Sequence, residues 1–173
     1  EGSGEPMGFE FFEQRGLPED VGKLAGISCK EELEAVPAPA GDGRDPRTLF
    51  PTLRVRGNIA LIGICTAHPT PPFFATGSIG KIQFEKLEST LVDMRQRGLL
   101  RVLLLHHPPV HGAVSWRNRL TDQPAFQTLL ARQGADLVLH GHTHRTFRGS
   151  LDTPWGTVLS IGVPSASALG RTK

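Results

Sequence analysis

Six of the seven histidines in this chain fall into two tight groups. "VLLLHHPPVHGA" (102–113) holds His106, His107 and His111, and "LVLHGHTHRT" (137–146) holds His140, His142 and His144. A neutral imidazole is a common metal ligand and a proton carrier near neutral pH. His142 and His144 are two residues apart. In an extended segment, side chains at that spacing leave on the same face, so the pair could reach one ion or two adjacent ions. Gly141 removes a β-carbon where the backbone must pass close to such a site. His106 is the first residue beyond "RVLLL", and Pro108–Pro109 stiffen the exit, which suits a ligand whose position must be fixed. Alternation points His107 elsewhere, so one histidine of that pair is expected to bind. His140 ends its own apolar run and is expected to support the site, bonding a ligand or a substrate oxygen. His111 and His68 read as solvated loop residues, and Cys65 as a small core residue.

Each group follows a run of leucine and valine, which raises the question of what carries it. "NIALIGI" (58–64), "RVLLL" (101–105) and "DLVLH" (136–140) are short apolar runs of the buried-strand type. Between them lie two amphipathic stretches. Residues 78–98 predict a helix capped by Ser78, with Ile79, Ile82, Leu87, Leu91 and Met94 on one face and Gly98 just past its end. Residues 121–136 predict a second, capped by Thr121 or Asp122, with Phe126, Leu129 and Leu130 facing inward and Gly134 ending it. Residues 146–163 predict a β-hairpin turning near 152–156. The prolines of 68–77 predict a loop. The order strand, helix, strand, helix, strand, hairpin implies an α/β fold with a mainly parallel, helix-covered sheet. In such sheets ligands sit at the carboxyl ends of the strands, where both histidine groups fall. Upstream, "FEFFEQRGL" predicts a short helix and "CKEELEAV" another turn or two, before the loop chemistry of "PAPAGDGRDP" (37–46).

Composition narrows the class. Hydrophobic residues make up 38% and charged residues 21% of 173, enough for one globular domain with a core. The formal charge of +2, with basic residues scattered and Tyr absent, argues against nucleic acid and membrane surfaces as partners. No apolar run approaches the roughly 20 residues of a membrane span. Two cysteines, Cys29 and Cys65, make no disulfide framework, and a reducing, cytoplasmic setting is expected. The chain starts at Glu1 with no Met before it, so whatever lies upstream is unseen.

"LLLHHPPV" (103–110) followed by "ADLVLHGHTH" (135–144) resembles the calcineurin-like metallophosphoesterase family, and looks most like its bacterial branch with the class III cyclic nucleotide phosphodiesterases. Residues 49–91 and "IGVPSASA" (161–168) are also similar, so the resemblance spans roughly 46–168. It implies a four-layer αββα sandwich. It also implies two divalent or trivalent ions (Mn, Fe or Zn), about 3.5–4 Å apart, whose bridging hydroxide attacks a phosphoester in line. Carried over, His106 and His142 would bind one ion and His144 the other, with His107 and His140 shaping the site or meeting the substrate.

The departures weigh as much as the match. The family's Asp-x-His and Gly-Asn-His-Asp motifs are absent, and "GDGRD" (41–45) matches Gly-Asp-x-x-Asp only as letters, since it follows "VPAPA" rather than a strand. Asp42 is therefore read as a turn residue. Without a bridging carboxylate, two divalent ions about 4 Å apart repel by about four times the roughly 4 kcal/mol of a unit-charge pair at an effective dielectric of 20. The expectation is a single, incomplete metallophosphoesterase domain over residues 1–173, with 1–48 a variable segment. It would carry the last two of five motifs of a phosphodiester hydrolase acting on a small phosphoester, and be inactive alone. A non-catalytic scaffold of the same fold and a single-zinc domain built on His106, His142 and His144 are the rival readings.

Overall fold

The computed structural model describes residues 10–11 and 46–164. Within them the chain builds a seven-stranded sheet: β1 (Glu10–Phe11), β2 (Thr52–Arg56), β3 (Ile59–Gly63), β4 (Leu100–Leu105), β5 (Leu137–His140), β6 (Phe147–Thr153) and β7 (Gly156–Gly162), in the spatial order β1-β6-β7-β5-β4-β3-β2. The four central strands β3, β4, β5 and β7 are mutually parallel. The flanking pairs β2/β3, β6/β7 and β1/β6 are antiparallel. The mixed α/β fold with a C-terminal hairpin is as the sequence implied. Helices α1 (Lys81–Gln96) and α2 (Gln123–Gln133) are the crossovers into β4 and β5. No helix among the described residues is long and apolar enough to cross a membrane.

Register decides which face is buried. Ile62, Leu103, Val138 and Ser160 pair across four strands on one face, and all four are inaccessible to solvent. Leu87, Leu91 and Met94 of α1 and Phe126, Leu129 and Leu130 of α2 cover that face. Each such side chain taken from water contributes about 1.5–3 kcal/mol. The row one residue back, Leu61, Val102, Leu137 and Leu159, faces the other way and is only half-buried, while Leu100 and Leu104 are exposed. Every strand residue of the core cluster lies on the helix-bearing face. A parallel sheet normally has both faces covered. The described residues thus amount to one sheet and one helical layer of the four layers that the resemblance implies.

Several local expectations are corrected. The α1 N-cap is Gly80, whose φ of 80° suits glycine, and not Ser78. The orphan amides there are served from 42 residues away: the Asp122 carboxylate accepts from the Gly80 N–H at 2.9 Å and the Ile79 N–H at 2.8 Å. Ser78 Oγ donates to the same carboxylate at 3.1 Å. Asp122 does stand at the N-cap position of α2, but its side chain caps nothing there. Ile82 is 63% exposed, and its place on the buried face goes to Gln83, 2% exposed. Gln83 is tolerated because its amide is saturated. It accepts from the Cys65 N–H at 2.8 Å and donates to the carbonyls of Cys65 and Ile79 at 2.8 and 2.9 Å. β2 was not expected, although Leu53 and Val55 alternate with Arg54 and Arg56 before a Gly57–Asn58 turn. Glu10 and Phe11, inside the expected short helix, are strand. The turn expected at "CKEELEAV", Cys29 and Asp42 lie outside the described residues.

Candidate functional site

The carboxyl ends of β3, β4, β5 and β7 are tied together by the backbone. Ile64 N–H donates to Leu104 O at 2.8 Å, Gly141 N–H to His106 O at 3.1 Å, and Val163 N–H to His140 O at 2.9 Å. This rim receives both histidine groups, because β4 stops at Leu105 and β5 at His140.

His106 and His142 meet there: Nε2 of His106 and Nδ1 of His142 are 3.0 Å apart, with ring centroids 4.9 Å apart and nearly perpendicular. The segment after β5 is not extended as expected. His142 and His144 adopt φ of 71° and 52°, so the simple same-face argument for them does not hold. Left-handed backbone at a non-glycine residue costs roughly 1 kcal/mol or more and concentrates at functional sites. Burial, reinforced by the positive charge that His106 and His144 can carry, holds the His142 pKa below its ordinary 6.5, against an opposing contribution from the Asn118 backbone.

His107 is 5% exposed and fully engaged. Its Nε2 lies 3.0 Å from Ala75 O, a carbonyl that can only accept, so Nε2 carries the proton. Nδ1 then offers its lone pair to the Thr66 hydroxyl at 2.7 Å. Neither nitrogen is left for a metal, and the ring is a neutral strut between the β4 exit and the loop 64–80. Its pKa falls from 6.5 to about 4, chiefly through burial, with His142, His106 and His68 adding to the effect and the Ala75 carbonyl opposing it. A β-carbon at Gly77 would collide with the ring, so this position needs glycine. The same glycine is held by Arg119 O through its N–H (2.9 Å) and accepts from Thr121 N–H (2.8 Å) and Thr121 Oγ1 (2.9 Å).

His140 turns toward the helix-bearing face, 2% exposed and 5.4 Å from the Phe147 ring. Its Nδ1 is 3.5 Å from Gly141 O, its Nε2 has no partner among the described residues, and burial lowers its pKa. His111 is exposed, as expected. His68, read in the sequence as a solvated loop residue, is instead half-buried and lies close enough to His107 to depress its pKa. Thr66, Ala75, Gly77 and Asn118 also escaped the sequence reading. Backbone and small-residue partners leave no motif, although so proline-rich a loop beside a histidine site was itself a signal of rigid placement.

The donors can be weighed against the ions that the motifs suggest. Two imidazole nitrogens 3.0 Å apart suit one cation as shared ligands. Among the described residues, however, no three His, Cys, Asp or Glu side chains converge to hold an ion. The described donor set therefore does not fit a two-metal centre by itself.

The family comparison agrees with this architecture. A family model described as calcineurin-like phosphoesterase matches residues 28–146. Among solved structures, a dimetal phosphatase from Danio rerio is similar at a TM-score of 0.43 and 19% identity, over 51% of this chain and 28% of that one. The chain thus spans well under a third of that protein's length. No curated protein matches significantly. With the family model covering more than half of its residues and the histidine rim lying where such a sheet presents its ligands, the chain belongs to the calcineurin-like phosphoesterase family.

Proposed function

We propose that this chain supplies the histidine wall of a metal-dependent phosphodiester hydrolase acting on a small phosphoester. The observation that carries the reading is the convergence of His106 Nε2 and His142 Nδ1 at 3.0 Å on the carboxyl rim of the sheet. In this reading His106 and His142 share one cation, and His144 serves a second. His107 holds the β4 exit rigid through Thr66 and Ala75, and His140 lies behind the rim as a supporting group. Bound metals in this family would supply Lewis acidity and a lowered water pKa. The chain's own residues would orient the ions and exclude water on one side only. Without a bridging carboxylate the isolated chain is proposed to be inactive.

A single-ion site is the second reading, favoured by the same pair of imidazoles and the lack of a third converging donor among the described residues. Metal titration of the chain with Zn²⁺ and Mn²⁺ by calorimetry, alongside turnover of bis-p-nitrophenyl phosphate, separates the possibilities. The expected result is no tightly held ion and no turnover in the isolated chain, whereas one tightly held ion, lost in His106→Ala, would favour the single-ion reading. Two tightly held ions with turnover would overturn the claim of inactivity, and binding unaffected by His106→Ala would overturn the site.

A further inference from the structure

The loops 64–80 and 106–122 carry more than the strut for His107. Phe73 is 90% exposed, more than any other large hydrophobic residue described, and Trp116 is 58% exposed. Phe74 meets Trp116 edge-on, with ring centroids 5.2 Å apart at 75°. The Arg117 guanidinium lies 5.1 Å from the Trp116 ring and 6.0 Å from that of Phe74. Phe73 also has φ of 69°, a conformation that glycine or asparagine would adopt at far less cost. The chain therefore spends both hydration and backbone free energy to hold a bare phenyl ring at this apex. The other exposed tryptophan, Trp155, has an internal role, donating to Arg132 O at 2.6 Å and stacking with Arg95. Among the described residues, Phe73 has no comparable contact.

This aromatic ledge is continuous with the histidine rim. Ala75, next to Phe74, takes a hydrogen bond from His107 through its carbonyl and donates its own N–H to Arg117 O at 2.9 Å. Asn118, two residues past Trp116, touches His142 through its backbone. Backbone hydrogen bonds thus join the loops that carry the rings to the residues of the histidine rim. Exposed aromatic faces next to a guanidinium are the arrangement that stacks flat π systems, while the cation attracts phosphate charge.

We infer that the ledge of Phe73, Phe74, Trp116 and Arg117 selects phosphoesters whose alcohol part carries a planar ring, stacking that ring while the phosphate reaches the histidine rim. The inference rests on the proposed function for the position of the phosphate, but makes its own claim about the ring. Phenyl phosphate and cyclohexyl phosphate carry the same charge at similar size, and differ in planarity. Each is titrated into the full chain with Zn²⁺ present, following calorimetry and tryptophan fluorescence. Phenyl phosphate is expected to bind about tenfold more tightly, in the range of one stacked ring. Phe73→Ser with Trp116→Ser is expected to erase the difference while the chain still folds and unfolds cooperatively, with a melting temperature lowered only by the loss of the Phe74–Trp116 contact. Adenosine 5′-monophosphate against ribose 5-phosphate separates a nucleobase source from a simple aryl one. Equal affinity for the phenyl and cyclohexyl compounds, a preference that survives the double substitution, or no binding of any probe overturns the ledge. Zinc-dependent phosphate binding without ring preference leaves the proposed function standing and removes only the ledge. Ring preference that persists in His106→Ala with no dependence on zinc does the reverse.

Discussion

Removing the Asp122 carboxylate should loosen the wall of the histidine site and the start of α1 together. The carboxylate accepts from Ile79 N–H at 2.8 Å, Gly80 N–H at 2.9 Å and Ser78 Oγ at 3.1 Å, ahead of a helix with no acidic residue in its first turn. A side-chain cap contributes about 1 kcal/mol, a negative charge at a helix N-terminus a further 0.3–1, and hydrogen bonds to a charged group somewhat more than neutral ones. Part of the loss is recovered because the freed amides are near water. Asp122→Ala should therefore cost about 2–3 kcal/mol, and Asp122→Asn, which keeps an acceptor oxygen without the charge, about 1 kcal/mol. Urea unfolding measures this as a lower midpoint at constant slope. Ser78→Ala in the two backgrounds closes a double-mutant cycle and isolates the Ser78–Asp122 bond. A loss below about 0.5 kcal/mol for Asp122→Ala would refute the view that a distant carboxylate caps α1.

Two further outcomes follow from the same wall. His107, with its folded pKa near 4 against 6.5, stays neutral in the folded chain while the unfolded chain takes up its proton. Stability from this group is complete above about pH 6.5 and is lost as pH falls toward 4, by at most about 3 kcal/mol. NMR titration of its Cε1–H should find a midpoint near 4, and a midpoint near 6.5 would remove the argument. Gly77→Ala forces a β-carbon into that ring and should cost about 1–3 kcal/mol in thermal unfolding. It should also bring the His107 midpoint back toward 6.5 as the strut is displaced, and an unchanged titration would contradict the role of glycine there.

What was legible in the sequence was whatever obeys a period. The apolar runs gave β3, β4 and β5, the 3.6-residue spacing gave both helices, and glycine marked both helix ends. The two histidine groups could be assigned to strand ends for the same reason. What escaped was non-local. Ser78 looked like a cap because it precedes the helix, but the carboxylate arrives from the next crossover, which no window around residue 78 contains. Ile82 looked buried by spacing, yet Gln83 takes the inward position because the unpaired backbone of Cys65 needs an amide. Alternation set His107 apart from His106, but only the positions of Thr66 and Ala75 reveal that His107 is bonded at both nitrogens. β2 was missed although Leu53 and Val55 alternate with arginines, and His68 was read as solvated because nothing near it in sequence touches His107.

The left-handed backbone at His142 and His144 sets folding against chemistry. Glycine at either position would relax the loop by roughly 1 kcal/mol, so a search for stability alone would erase both imidazoles. The histidines are retained at positions that the folded chain itself would prefer to give away. On this rim, therefore, the more stable variant is the one expected to have lost its proposed ligands.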